Sequence, residues 1–265
     1  MFLKSDSTLW VCGKNERGQL CDGTTTDHNT PVKAMSNVLD MALGLHHSLI
    51  LRTDGILWAC GSNPLGQLGD GTTTSRTTPV QVMSGVQDIS AGYMHSLILK
   101  TDGTLWACGD NEYGQLGFED FFDHETPVQV MSGVKSMAAG ARFSLILKTD
   151  GTLLACGENE NGQLGDGTAT ERHTPVQVMS GVQSIAAGSF HSLILKTDST
   201  LWACGHNWQG KLGDGTDTDR HTPVLVMSGV QSMATGTHHS LILKTDGTLL
   251  ACGNNEYGQL GDGTT

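Results

Sequence analysis

The sequence predicts an all-β fold, a β-propeller of four-stranded blades built from 48-residue repeats. A Cys-Gly step recurs at a constant interval without insertion or deletion, and self-similarity of this length is typical of solenoids, propellers and arrays. Each period also contains four segments of strand length whose hydrophobic patterns differ from one another. The repeated cysteines are Cys12, Cys60, Cys108, Cys156, Cys204 and Cys252.

Residues 86–133 represent one repeat, and its first three strands follow in order. Residues 86–92 (VQDISAG) predict a first strand that ends in small residues, as crowding at a propeller hub requires. The second strand is 95–100 (HSLILK) and the third is 104–109 (TLWACG). Both are nearly continuous apolar runs, which indicates sheets covered on both faces. The Asp-Gly between them predicts a two-residue type I′ hairpin turn.

The fourth strand is predicted at 126–131 (TPVQVM), after a long polar connection. Its apolar residues alternate with polar ones and it begins with Pro, so it fits an outer edge strand. Strands that are small inside, apolar between and amphipathic outside describe a propeller blade. A β-solenoid would need shorter rungs, and no segment has helical periodicity.

Five periods cover residues 1–240, and the last 25 residues resemble the first 25. We therefore predict one propeller domain over residues 1–265, with five full repeats plus a half repeat and incomplete blades at both ends. A closed five-bladed ring is one arrangement, in which strands from 230–247 would join strands from 8–35. A fragment of a larger ring is the expected one, and its incomplete blades would expose apolar faces that favour self-association.

The formal net charge of −12 argues against binding to nucleic acid or to anionic membranes, both of which need clustered Lys and Arg. A basic protein partner is compatible with this charge. No transmembrane stretch is visible.

The cysteine pattern predicts buried free thiols. Equivalent positions in neighbouring sheets lie about 10 Å apart, whereas a disulfide needs Cα atoms within about 7 Å. Cys21 is an additional cysteine where the other copies have Gly. No repeat contains ligands at zinc spacing. Unpaired thiols favour a reducing, cytoplasmic compartment.

The run DGTLWACGDNEYGQLG (102–117), followed by TPVQVM, an Ala-Gly strand and HSLILK, resembles the repeat of the regulator of chromosome condensation family. The resemblance covers nearly the whole chain and implies propellers of about seven four-stranded blades. It also implies functions that differ among members. These are guanine-nucleotide exchange on a GTPase, inhibition of a bacterial β-lactamase, and ultraviolet-B photoreception.

Departures from the family pattern argue against two of these functions, nucleotide exchange and photoreception. The constant spacing leaves no room for the inserted hairpin of the exchange factor. The photoreceptor's Trp after Ala-Gly is absent, since those positions hold Leu45, Tyr93, Ala141, Ser189 and Thr237. We therefore predict a non-enzymatic module that binds a protein. Regulation of an enzyme is the first alternative. Carbohydrate binding is the second, although lectin pockets would repeat the same loop residues.

Comparison of the copies places variation in two loops, the first-to-second loop and the third-to-fourth connection. In an up-and-down blade both open on one side, whereas the nearly invariant turns lie on the other. Tyr, Trp, Met and Arg are enriched at interface cores. The predicted partner-binding residues in these loops are Tyr93, Met94, Tyr113, Arg142, Phe190, Trp208, His238 and Tyr257. Neutral drift of exposed loops would give a similar pattern.

The third copy has an unusual connection, Phe118-Glu119-Asp120-Phe121-Phe122-Asp123-His124-Glu125. Its three Phe and four carboxylates could form an acidic, hydrophobic knob for a basic partner. The expected alternative is that Phe118, Phe121 and Phe122 fold back over the blade edge.

No catalytic, metal or cofactor site is predicted. The His-Ser step at 47, 95, 191 and 239 recurs in too many copies for a catalytic residue, so we expect buried imidazoles bonded to backbone. Residues 214–219 resemble the start of a calcium loop but lack its closing glutamate. The Asn after Cys-Gly-x is expected to hold a turn.

Overall fold

Antiparallel strands make up nearly all the regular structure in the computed structural model, which describes residues 1–265. The chain divides into two units. Unit 1 comprises Met1–Glu112 and Asp120–Val134, and unit 2 comprises Tyr113–Glu119 and Lys135–Thr265. The strands form six separate sheets, one for each copy of the repeat. The all-β blade architecture is therefore confirmed.

The first three sheets follow the strand order of the repeat. Sheet 1 has strands β1 (Phe2–Leu3), β2 (Thr8–Gly13) and β3 (His28–Ser36). Sheet 2 has strands β4 (Val38–Leu43), β5 (His47–Arg52), β6 (Leu57–Gly61) and β7 (Arg76–Met83). Sheet 3 has strands β8 (Val86–Ala91), β9 (His95–Lys100), β10 (Leu105–Gly109) and β11 (His124–Met131).

The last three sheets repeat this order. Sheet 4 has strands β12 (Val134–Ala139), β13 (Phe143–Lys148), β14 (Leu153–Gly157) and β15 (Arg172–Met179). Sheet 5 has strands β16 (Val182–Ala187), β17 (His191–Lys196), β18 (Thr200–Gly205) and β19 (Arg220–Ser228). Sheet 6 has only strands β20 (Val230–Thr235), β21 (His239–Lys244) and β22 (Leu249–Gly253). Sheet 6 therefore has three strands, all of them from the sixth copy.

The burial of the strands follows the predicted layers. The second and third strands are almost wholly buried, as in β9, whose first five residues are all buried. The fourth strands contain only exposed and half-buried residues, with an exposed residue about every third position, and each is an edge strand of its sheet. The fourth strand of sheet 3 begins at His124, two residues before the predicted start.

The hairpin between β9 and β10 has a different turn from the predicted one. The Gly103 amide donates to the Lys100 carbonyl at 2.9 Å, and the Lys100 amide donates to the Thr104 carbonyl at 2.9 Å. Gly103 has a φ of +76°, whereas Asp102 does not have a positive φ. The loop therefore has three residues and places only glycine in the left-handed region, so the type I′ prediction is wrong.

Buried hydrogen bonds join neighbouring blades. In unit 1 the Ser96 hydroxyl donates to the Gln67 carbonyl at 2.7 Å and lies 3.0 Å from His47 Nε2. His47, Ser96 and the equivalent pair His191 and Ser240 are all buried. The prediction of buried imidazoles is confirmed for His47, His95 and His191, whereas His239 is half-buried. The bonding partner of His47 and of His191 is a serine side chain and not backbone.

One cysteine pair contradicts the prediction of free thiols. Cys21 and Cys60 form a disulfide with their Cα atoms 5.5 Å apart. Cys21 lies in the long connection of the first copy, which packs against the third strand of the next, so the comparison of equivalent positions missed this contact. The remaining five cysteines are free. The argument for a reducing compartment therefore loses its premise.

Two further features complete the fold. A three-residue 3₁₀ helix, η1 (Trp208–Gly210), interrupts the long connection of the fifth copy. No helix in the structure has the length and apolarity that a membrane crossing requires.

Candidate functional site

The two variable loops of each blade lie side by side. The residue after Cys-Gly donates its amide to the second residue of the first-to-second loop in the same copy. This bond joins Asp110 to Met94 at 2.9 Å in unit 1 and His206 to Phe190 at 2.8 Å in unit 2. We call this side of each unit its variable-loop side.

The nearly invariant turns also lie together. The Thr197 amide, beside the hairpin of the fifth copy, donates to Gly181 of the turn between blades at 3.0 Å. Conserved turns and variable loops are thus grouped separately within each unit, as the sequence predicts.

Asparagine and aspartate side chains hold the long connections in shape. In the second copy Asn63 Nδ2 donates to Asp70 Oδ1 at 3.1 Å and to the Thr72 carbonyl at 2.8 Å, while its Oδ1 accepts the Leu68 amide. Arg76 forms an ion pair with Asp70. The expected role of this Asn in a turn is confirmed.

In unit 1 the predicted residues differ in exposure. Tyr93 and Met94 are half-buried. Phe121 and Phe122 are 65% and 75% exposed, so the expectation that they fold back over the blade edge is wrong. A hydrogen bond at the base of the loop fixes its backbone, since Asn111 Nδ2 donates to the Asp120 carbonyl at 2.7 Å. That anchor leaves the two rings in solvent.

In unit 2 the structure brings Tyr113 and Arg142 together. The Arg142 guanidinium lies 5.0 Å from the centre of the Tyr113 ring, and Nη1 donates to the Tyr113 hydroxyl at 3.1 Å. Both side chains are half-buried. Stacking and the hydrogen bond restrict both side chains, so this pair can meet a partner at a reduced cost in conformational entropy.

A lysine in the fifth copy reorganises its long connection. The other copies have Gln at this position, and Gln115 Oε1, for example, accepts the Tyr113 amide at 3.0 Å. The Lys211 side chain has no oxygen that could accept this amide hydrogen bond. Gln209, which is equivalent to Tyr113, has a φ of +63° within η1. Gln209 Oε1 accepts a bond from Asn254 at 2.7 Å. The connection forms a local 3₁₀ turn here, and Trp208 is 55% exposed at a position that is exposed in every copy.

Lys211 itself is fully buried, with Nζ 2.7 Å from His206 Nδ1. No carboxylate lies within ion-pair distance of it. Burial lowers the pKa of Lys211, and the nearby Asp219 charge partly offsets that effect. Burial also lowers the pKa values of His206 and His238, and Lys211 adds to both shifts.

The remaining predicted residues of unit 2 lie on the same variable-loop side. Tyr257 is 88% exposed and His238 is exposed, whereas Phe190 and Phe118 are half-buried. Sequence reasoning missed Lys211 and its effect on η1. The signal was present, because Lys211 is the single departure from Gln at positions 19, 67, 115, 163, 211 and 259.

The groups considered for metal binding or catalysis have structural partners. Burial lowers the pKa of His47 to about 4, so its imidazole is neutral at pH 7. Asp214 forms an ion pair with Arg220 at 2.8 Å within the loop that resembles a calcium site. No group of three or more His, Cys, Asp or Glu side chains is arranged to hold a metal ion.

Comparisons with known proteins point to one family. The model of the RCC1-like domain matches residues 8–265. The structure of Prp20p from Saccharomyces cerevisiae is similar with a TM-score of 0.87 and 25% identity, over 99% of this chain and 71% of that one. The structure of human WBSCR16 is similar with a TM-score of 0.84 and 23% identity, over 96% of this chain and 74% of that one. A search of curated protein sequences gives no match.

Proposed function

Because this chain belongs to the RCC1-like domain family, we propose that it is a non-enzymatic interaction module that binds another protein through its variable loops. The observation that carries the proposal is in unit 2. There the variable-loop side combines the stacked Arg142–Tyr113 pair with the exposed rings of Trp208 and Tyr257. Arg, Tyr and Trp are the residues that dominate binding energy at protein interfaces.

The internal repeats argue for recognition on this side alone. The copies have nearly the same hairpins and turns between blades, while the loops that carry Trp208, Arg142 and Tyr257 differ. A surface composed of unlike loops suits a single macromolecular partner. A sugar-binding propeller would present the same pocket in each blade, whereas the residues of these loops differ from copy to copy.

The proposed partner carries a basic or mixed surface. The net charge of −12 would repel nucleic acid, and exposed carboxylates such as Glu160 and Glu256 lie among the loops of unit 2. The solved relative Prp20p is described by its binding to Gsp1p and histones. Regulation of a partner enzyme is a second form of this proposal, separated from passive binding by assaying the bound partner's activity.

Alanine substitution on the two sides of unit 2 tests the proposal. A partner captured on the immobilised chain would be purified, and its Kd measured against each variant by calorimetry. We expect Trp208→Ala and Arg142→Ala to weaken binding by roughly 30-fold each, the usual effect of losing an interface hot spot.

Ser180→Ala and Thr197→Ala provide matched controls, since both residues are exposed near the invariant turns of unit 2. They should leave the Kd unchanged. Equal affinity of all four variants, with circular dichroism showing intact folds, would exclude the variable-loop side as the binding surface.

A further inference from the structure

Four blades have a tryptophan in the third strand, and its indole nitrogen has a hydrogen-bond partner in three of them. Trp10 Nε1 donates to Thr8 Oγ1 at 3.0 Å, and Trp106 and Trp202 make the same bond to Thr104 and Thr200 at 2.9 and 3.0 Å. In the second copy the position two residues before Trp58 is Ile56, which has no hydroxyl. Trp58 Nε1 is buried without an acceptor.

The cation beside Trp58 also differs. In the other three blades a lysine ammonium lies over the indole ring, as for Lys4 at 5.3 Å from Trp10 and Lys196 at 5.8 Å from Trp202. The second copy has Arg52, whose Nη2 instead lies 3.4 Å from Asp54. Arg52 Nε is buried and has no hydrogen-bond partner.

Both residues line one cavity in unit 1. It has a volume of about 300 Å³ and is lined by Met35, Ser36, Arg52, Trp58 and Pro79. A cavity of about 310 Å³ in the first blade is lined by Phe2, Lys4, Trp10 and Pro31. The two cavities match in size and in their Trp, cation and Pro. Only the second-blade cavity has two donors without acceptors.

Two unsatisfied buried donors indicate a missing acceptor, because buried polar groups are normally paired. One donor belongs to a guanidinium, which prefers a carboxylate or another oxyanion. Met35, Pro79 and the indole supply apolar walls, and Met35 is flexible enough to admit a ligand to the shielded nitrogens. The volume is at the lower end of the range for small-molecule sites.

We propose that this cavity binds a small planar carboxylic acid, whose carboxylate accepts hydrogen bonds from Trp58 and Arg52 while its ring packs against Met35 and Pro79. This site is separate from the variable loops, and its test does not depend on the proposed protein partner.

Indole N–H resonances in ¹H–¹⁵N spectra of the full chain provide the test. Benzoate serves as the probe and benzyl alcohol as its neutral counterpart. We expect benzoate to shift the Trp58 resonance, assigned with Trp58→Phe, with a Kd on the order of 1 mM for a ligand of this size. The resonances of Trp10, Trp106 and Trp202 should stay in place, as should Trp58 with benzyl alcohol.

Two substitutions convert the second blade to the pattern of its neighbours and are therefore expected to fold. Ile56→Thr supplies the intrablade acceptor for Trp58, and Arg52→Lys removes the unpaired guanidinium donor. Each should weaken benzoate binding at least tenfold. A Trp58 resonance that does not respond to benzoate, or one that responds equally in Ile56→Thr, would overturn the proposal.

Discussion

Single residues decide how neighbouring blades interact. His47 and His191 each make a buried contact with a serine of the next copy, but the fourth copy has Phe143 in place of His, and that ring is fully buried. The fold therefore accepts an apolar ring at the same position. His47 costs more to bury than Phe, because its imidazole must stay uncharged.

This burial makes stability depend on pH. The folded pKa of His47 is about 4 and its ordinary value is 6.5, so the unfolded chain binds more protons between these values. Stability from this residue is complete above pH 6.5 and is lost as the pH falls toward 4.

We expect His47→Phe to flatten the pH dependence of the free energy of unfolding by about 1.4 kcal/mol per pH unit in that window. Urea unfolding of the wild type and the variant at pH 7 and pH 5 measures this. Phe143→His is the reciprocal variant and should steepen the dependence. Parallel profiles for the three proteins would contradict a titrating role for the buried His.

At the scale of the element, the strands could be predicted closely from the sequence. The predicted span of β9, 95–100, is the observed one, because apolar runs bounded by Asp-Gly and Gly leave few alternative positions. The turn type was wrong, since Asp-Gly also fits a three-residue loop with Gly alone in the left-handed region. Pairing preferences constrain strands more tightly than they constrain turns.

Contacts between elements of adjacent copies were harder to predict. The Cys21–Cys60 disulfide joins a connection to a strand 39 residues later, and no alignment of equivalent positions compares the two. The unpaired Trp58 depends on Ile56, a change that is visible in the sequence but acquires meaning only from the strand geometry. Such features require the distance between atoms and not only the pattern.

A disulfide equivalent to Cys21–Cys60 can be introduced in unit 2 by replacing Gly165 with cysteine opposite Cys204. A Cβ built on Gly165 would lie 2.8 Å from Cys204 Sγ, close to the roughly 3 Å that a disulfide requires between these atoms. Gly165 has a φ of +76°, similar to the +61° that Cys21 adopts. The separation of the two positions is also 39 residues.

We therefore expect Gly165→Cys to form a disulfide with Cys204 under mild oxidation, lowering the free-thiol count by one relative to the wild type and raising stability by up to about 4 kcal/mol. Thiol titration and urea unfolding with and without dithiothreitol measure both effects. Gly167→Cys is the control, because it also has a positive φ but no sulfur within 4 Å. Cross-linking of both variants would show that the contact is not specific.

At the scale of the whole molecule, the outer strand of sheet 6 offers an open edge at which we expect copies of the chain to associate. In the four-stranded sheets a fourth strand pairs with the third strand. The first leucine of that third strand, such as Leu153 or Leu201, is fully buried. In β22 the equivalent Leu249 is 63% exposed and the strand has an unpaired edge. Exposed apolar edge strands favour association.

Leu249→Lys should therefore reduce self-association of the purified chain, since a charge on an edge strand opposes pairing. Light scattering coupled to size exclusion, over a range of protein concentrations, measures the average mass. Leu225→Lys is a matched control, because Leu225 is 54% exposed on the outer strand β19 of a complete four-stranded sheet. If self-association falls equally in both variants, it is not specific to the third strand of sheet 6 that lacks a fourth strand; if it falls only with Leu249→Lys, the open edge of β22 drives it.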